Sequence, residues 1–190
     1  MLRYLVGFFV TVGLIILLIV LLFSGGGSSP SKKVPNSGHT LESYAQTDAQ
    51  VRFTIDGPIN ALENHRQAQI IVDRNNAVFN LIQGYDGSVI STQSFANTTA
   101  SYSAFLHGLE MLNFTKGDTS DKTLASENGH CPTGNRYGYD VIQNGQTIEH
   151  FWATSCGGKH TYLGNVETTR YLFEQQIPHY RDLVSSVSDF

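Results

Sequence analysis

Two cysteines and seven histidines are the residues of this 190-residue chain best suited to chemistry, and their spacing limits what that chemistry can be. Cys131 and Cys156 share one stretch of the C-terminal half. A lone pair in an exported domain points to a disulfide. The competing reading is a Cys156 thiolate activated by His150 or His160, the arrangement of a thiol-dependent enzyme or envelope hydrolase. It requires a free thiol, and no cysteine-enzyme motif surrounds either position. The histidines fall at 39, 65, 107, 130, 150, 160 and 179, with neither HxH nor HExxH spacing. Ligand-type spacing is absent, so the sequence assigns no metal, no cofactor and no catalytic set. Gly157-Gly158 is followed by no phosphate-binding pattern. Asn97-Thr98-Thr99 and Asn113-Phe114-Thr115 match the glycosylation sequon, which has meaning only in an organism that glycosylates; helix capping explains the first equally well.

These residues must be carried by elements that the local pattern specifies. Asn144-Gly145, between Arg136–Gln143 and Gln146–Thr154, is the strongest short hairpin signal in the chain. With a two-residue turn, facing residues have numbers summing to 289. Tyr137 is then expected opposite Trp152, Tyr139 opposite His150 and Val141 opposite Ile148 on a core face. Arg136, Asp140 and Glu149 share the other face with Phe151, which lies opposite Gly138. The same register brings Cys156 opposite Thr133, two residues from Cys131, so a Cys131–Cys156 bond is geometrically reasonable.

Earlier in the chain, Val51 to Ile55 alternates apolar with polar, the period of a half-buried strand. Ala68 to Asp73, Ala77 to Gln83 and Ser88 to Phe95 read as a meander turning at Asn75-Asn76 and Asp86-Gly87. Tyr102, Phe105, Leu106, Leu109 and Leu112 repeat at helical spacing, predicting a helix over about Ala100 to Leu112 despite Gly108. Asn165 caps a second helix running to about Gln176, which Pro178 stops. Thr115 to Gly129 reads as a loop. The expectation is an α+β domain: an antiparallel β-sheet of about five or six strands in hairpins and a meander, with two helices packed on one face.

Tyr4 to Phe23 is twenty residues without a charge, the length of a helix crossing a bilayer. It is too long for a cleaved signal peptide, so residues 1–23 are expected to be a single-pass signal-anchor. Residues 24–48, rich in Gly, Ser and Pro, read as a flexible linker, and 49–190 as the extracytoplasmic domain. Long C-terminal domains cross the membrane largely regardless of flanking charge, which places the domain outside the cell membrane. The chain carries 12 basic and 16 acidic residues, and without Arg3 the balance is 11 to 16, a net charge of −5. Such a balance, lacking clustered Lys and Arg, excludes a nucleic-acid footprint.

One resemblance adds to this. The stretch Cys131-Pro132-Thr133-Gly134-Asn135-Arg136-Tyr137-Gly138-Tyr139, then Phe151 to Gly157, then Leu172-Phe173 and Gln176 to Tyr180, resembles a family of uncharacterised membrane-anchored extracytoplasmic proteins of Saccharibacteria and related ultrasmall bacteria of the candidate phyla radiation. The segment from Val51 through Asn64-His65-Arg66 to Gln83-Gly84-Tyr85 is similar too, so the likeness covers nearly the whole expected ectodomain. The likeness implies a bacterial cell-envelope location and carries over no catalytic residue.

The sequence therefore points to a non-enzymatic envelope module that binds a protein or glycan partner. A thiol-dependent enzyme and a structural subunit of an envelope assembly stand as alternatives. The expected recognition surface comprises Phe151 and Arg136 on the outer hairpin face, with His160 and Tyr162 from the following loop.

Overall fold

Val51, Phe53 and Ile55 are buried while Arg52, Thr54 and Asp56 stay partly exposed, so the period-2 pattern makes β1 (Gln50–Asp56) a strand with one core face. The computed structural model describes residues 40–185. Within them β1 is followed by β2 (Arg66–Val72), β3 (Asn76–Gln83), β4 (Ser88–Ala96), helix α1 (Thr99–Met111), β5 (Arg136–Gln143), β6 (Gln146–Thr154) and helices α2 (Val166–Glu174) and α3 (Tyr180–Val184). The six strands form one sheet in the order β4-β3-β2-β1-β5-β6, antiparallel throughout. The domain is thus α+β, as its patterning implies. The proposed span Tyr4–Phe23 lies outside the described residues, as does the linker up to residue 39. Among the described residues no helix is long and apolar enough to cross a membrane.

The helices cover the face bearing Phe53, Ile70, Phe79 and Tyr139. Helix α1 buries Tyr102, Phe105, Leu106 and Leu109, and Thr98 caps it by accepting from the Ser101 N–H. Asn165 caps α2 in the same way, through the Thr168 N–H. Phe173 of α2 packs edge-on against Phe105, with ring centroids 5.1 Å apart, and tilts on Phe53 at 5.4 Å. Gly108, a helix-weakening residue, has a packing reason: a Cβ there would stand 3.1 Å from the Leu172 side chain. Its absence lets α2 close on α1.

Three features differ from the sequence expectation. The chain is folded before residue 49: Leu41–Gln46 forms a 3-10 helix whose Leu41 and Ala45 are buried in the core. Two apolar residues four apart suffice for this despite the polar surroundings. Past Pro178 the chain restarts as α3 after His179 takes a left-handed conformation, and Tyr180 packs edge-on against Phe79 at 5.9 Å.

The third difference is the hairpin register. Asn144 and Gly145 have φ of 51° and 72°, the tight turn expected, and Ile142 faces Thr147 in the expected sum. Beyond that pair a bulge leaves Ile148 without a partner, and Val141 faces Glu149. Every later pair is shifted by one: Tyr139 faces Phe151, Gly138 faces Trp152 and Tyr137 faces Ala153. Because a slip of one exchanges the faces of a strand, Phe151 turns toward the helices and Trp152 away from them. Ile148, expected in the core, is 45% exposed.

Candidate binding face

The face of the sheet away from the helices is built from three rows of residues that the strand register aligns. The middle row runs Thr92, Asn80, Gln69, Thr54, Gly138 and Trp152, one residue from each strand in sheet order. A second row runs Ser94, Val78, Ile71, Arg52, Asp140 and His150, and a third carries Ile82, Gln67, Asp56, Arg136 and Thr154. Over β4 to β1 the middle row is uncharged and made of hydroxyls and amides. Thr92 donates to Asn80 Oδ1 at 2.9 Å, which orients the Asn80 amide. Gly138 has no side chain where the row reaches β5. A Cβ at Gly138 would sit 3.6 Å from the Thr54 Cβ and 4.0 Å from His150 Cε1, so the missing group leaves a shallow depression between them.

The β5–β6 end of this face is roofed by the segment between α1 and β5. The Trp152 Nε1–H donates to the Leu124 carbonyl at 2.9 Å, and the His130 ring leans on the indole at 4.7 Å. Trp152 is consequently 1% exposed. At the lip of the roof stands an ionic row. Arg52 Nε donates to Asp140 Oδ2 at 2.9 Å, His150 Nδ1 lies 2.7 Å from Asp140 Oδ1, and His150 Nε2 lies 3.4 Å from Glu127 Oε2. Hydrogen bonding to Asp140 and then Glu127 pushes the His150 pKa up to about 10. The hydrogen bond from His150 in turn holds the Glu127 carboxyl below its usual range. His150 is therefore an imidazolium at neutral pH, committed at both nitrogens, and has no lone pair for a general base.

A second charged group closes the other end of β1 and β5. Arg136 Nε and Nη2 donate to Asp56 Oδ2 at 2.8 and 2.6 Å, and Nη2 also donates to the Gly57 carbonyl at 2.7 Å. His65, fully buried, places Nε2 2.8 Å from Asp56 Oδ1 and Nδ1 3.1 Å from the Pro58 carbonyl. The Nε2 contact has hydrogen-bond length but poor direction, so neither His65 Nε2 nor Asp56 Oδ1 has a well-formed hydrogen bond. Tyr85 stacks on His65 with centroids 4.0 Å apart and is half exposed, which sets an aromatic surface at the Asp56 end of the face.

The residues expected to form one recognition surface are dispersed. Arg136 is 3% exposed and spends its guanidinium on Asp56. Tyr162 is fully buried on the opposite side of the sheet, stacked on Tyr139 at 3.8 Å with its hydroxyl bonded to Thr169 at 2.8 Å. Phe151 packs partly into that same core, and a Cβ on Gly117 would overlap its ring. His160 stays in the loop, Nδ1 3.0 Å from the Gly158 carbonyl. Gly138 faces Trp152 and not Phe151, the partner expected from the turn. The bulge accounts for the displacement of Phe151, whereas Arg136 is taken up by Asp56 and Tyr162 by its stacking on Tyr139.

Cys131 and Cys156 are joined in a disulfide with Cα atoms 5.6 Å apart. Gly134 makes room for it, since a Cβ there would crowd both the Cys131 sulfur and the Ser155 hydroxyl. With both cysteines bonded, the oxidised protein holds no Cys156 thiolate for His150 or His160 to activate. Among the described residues no group of His, Cys, Asp and Glu side chains is arranged to hold a metal ion. No protein-family model and no curated protein matches the chain.

Sequence reasoning missed the middle row. Gln69, Asn80 and Thr92 fall within predicted strands, and only the register across four strands sets them in line with Thr54.

Proposed function

We propose that the chain is a non-enzymatic, membrane-anchored envelope protein whose extracytoplasmic domain binds a glycan on the helix-free sheet face. The observation that carries this reading is the uncharged row Thr92, Asn80, Gln69 and Thr54. Amides and hydroxyls each donate and accept, which matches the dual hydrogen-bonding character of sugar hydroxyls. Neighbouring strands lie about 4.8 Å apart, so the four residues span about 14 Å, the length of a short oligosaccharide. Tyr85, stacked on His65 at the Asp56 end, offers an aromatic surface for the apolar face of a sugar ring. The absence of a cationic cluster disfavours nucleic acid or phosphate as the ligand. The disulfide is consistent with an oxidising compartment, and the apolar run Tyr4–Phe23 with tethering to the cell membrane.

The test is binding of the full-length chain to purified cell-wall glycan fragments by calorimetry. The double substitution Gln69→Ala with Asn80→Ala removes two ligand hydrogen bonds of about 1 kcal/mol each, so affinity should fall about 10- to 30-fold. The melting temperature should stay within about 2 °C of the parent, because surface changes of this kind are near neutral. Parent-like binding by the double variant, or no binding of any envelope glycan by the parent, refutes the proposal.

A further inference from the structure

The two edges of the sheet are treated differently. At β6 the Trp152 N–H donates to Thr161 Oγ1 at 2.9 Å, and the Trp152 carbonyl accepts from the Thr161 and Tyr162 N–H groups at 3.1 and 2.9 Å. The bulge at Ile148 and the charged Glu149 and His150 further spoil that edge for pairing. At β4 no loop bonds to the edge among the described residues, and the one irregularity is a bulge near its start, at Ile90. Its sequence, Ser-Val-Ile-Ser-Thr-Gln-Ser-Phe-Ala, has neither charge nor proline, and most of it is exposed. Apart from the Ser88 N–H, which Asp86 caps at 3.2 Å, no described hydrogen bond reaches its outer backbone groups. Ser91 faces Leu81 and Val89 faces Ile82, so Ile90 is the bulged residue and Ser91–Ala96 is the regular run.

We infer that β4 is a docking edge for a second copy of this chain, paired antiparallel with its own β4 about a two-fold axis normal to the sheet. An unblocked edge is a template for strand addition. Three observations favour self-pairing. A strand without charge meets its own copy with no like-charge repulsion, which antiparallel pairs of charged strands incur. Six regular residues span about 20 Å and supply about six backbone hydrogen bonds across the axis. The axis also keeps both helix layers on one side, and the 3-10 helix at the start of the described chain packs in that layer. Both chains then enter their domains from the same side, as two copies tethered to one membrane must. This last point, and the tethering that favours the contact, rest on the anchored reading. The contact is smaller than a standard stable interface, so the pair forms where tethering raises the effective concentration.

The experiment is a single-cysteine scan of Ser91 to Phe95 in the full-length chain, reconstituted in lipid vesicles and exposed to a mild oxidant. At the two-fold axis a residue faces its own copy with Cα atoms about 4.5–5.5 Å apart, within disulfide reach. Crosslinked dimer should peak at one position and fall about tenfold two residues to either side. A lysine placed next to the peak position, in the background of the peak cysteine, should abolish the crosslink while the melting temperature stays unchanged. A flat profile, equal to that of a cysteine at exposed Met111, indicates random collision and overturns the proposal. Crosslinks in the native envelope to a different protein, with none between copies, overturn it as well.

Discussion

Removing the Cys131–Cys156 bond should separate two effects that share one residue. The bond closes a loop with a sequence separation of 25, for which the chain-entropy model gives about 3.5 kcal/mol of stabilisation through the unfolded state. For a domain of this size each kcal/mol moves the melting temperature by about 3 °C, so Cys131→Ala with Cys156→Ser should lower it by about 10 °C. Cys131 also adopts φ of 49°, a left-handed conformation that costs a residue with a Cβ about 1 kcal/mol relative to glycine. The turn is held independently by the Gly134 N–H bond to the Cys131 carbonyl at 3.2 Å and by the Arg136 guanidinium reaching the same carbonyl at 3.5 Å. Cys131→Gly with Cys156→Ser should therefore melt about 3 °C above the alanine pair. Circular dichroism melts of the parent, both pairs and the reduced parent make the comparison. If the reduced parent melts within about 2 °C of the oxidised one, loop closure is not stabilising the domain. If glycine is no better than alanine, the left-handed turn exists only because the disulfide imposes it.

Two further outcomes follow from the geometry. The His150 pKa is raised to about 10 by Asp140 and Glu127, so its contribution is fully present below the unfolded value near 6.5 and is lost as pH rises through about 10. Because the side chain is more than a third exposed, screening reduces the effect to about 1 kcal/mol. Melting temperatures between pH 6 and 10.5 should decline in the parent and decline less in His150→Gln; parallel curves would show that the ion row is energetically idle. Gly117→Ala would drive a methyl into the Phe151 ring and should cost about 1–3 kcal/mol, read by urea denaturation, whereas adding Phe151→Leu should recover part of the loss. An unchanged midpoint in Gly117→Ala would mean that Phe151 does not pack there.

Features set by neighbouring residues were legible in the chain's local pattern. The Asn144-Gly145 turn, the alternation of Val51, Phe53 and Ile55, the caps at Thr98 and Asn165 and the stripe on α1 all depend on backbone preference and period within a few residues. The Cys131–Cys156 pairing was legible because both residues lie at the open end of a hairpin whose turn type was known. Tertiary structure decided what depends on distant partners. The bulge at Ile148 is favoured by sheet twist and by packing of Phe151 against Gly117 and of Trp152 under Leu124, none of which is encoded near the turn. One unpaired residue then exchanged the faces of Phe151 and Trp152 and withdrew Phe151 from the expected recognition surface. The pairing of β1 with β5, across the whole of β2 to α1, likewise has no local signature. It is this pairing that joins Asp56 to Arg136 and Arg52 to Asp140, and that brings the amide and hydroxyl row up to Gly138. Strand order is chosen by which apolar faces can be buried together under the helices, and that choice is global.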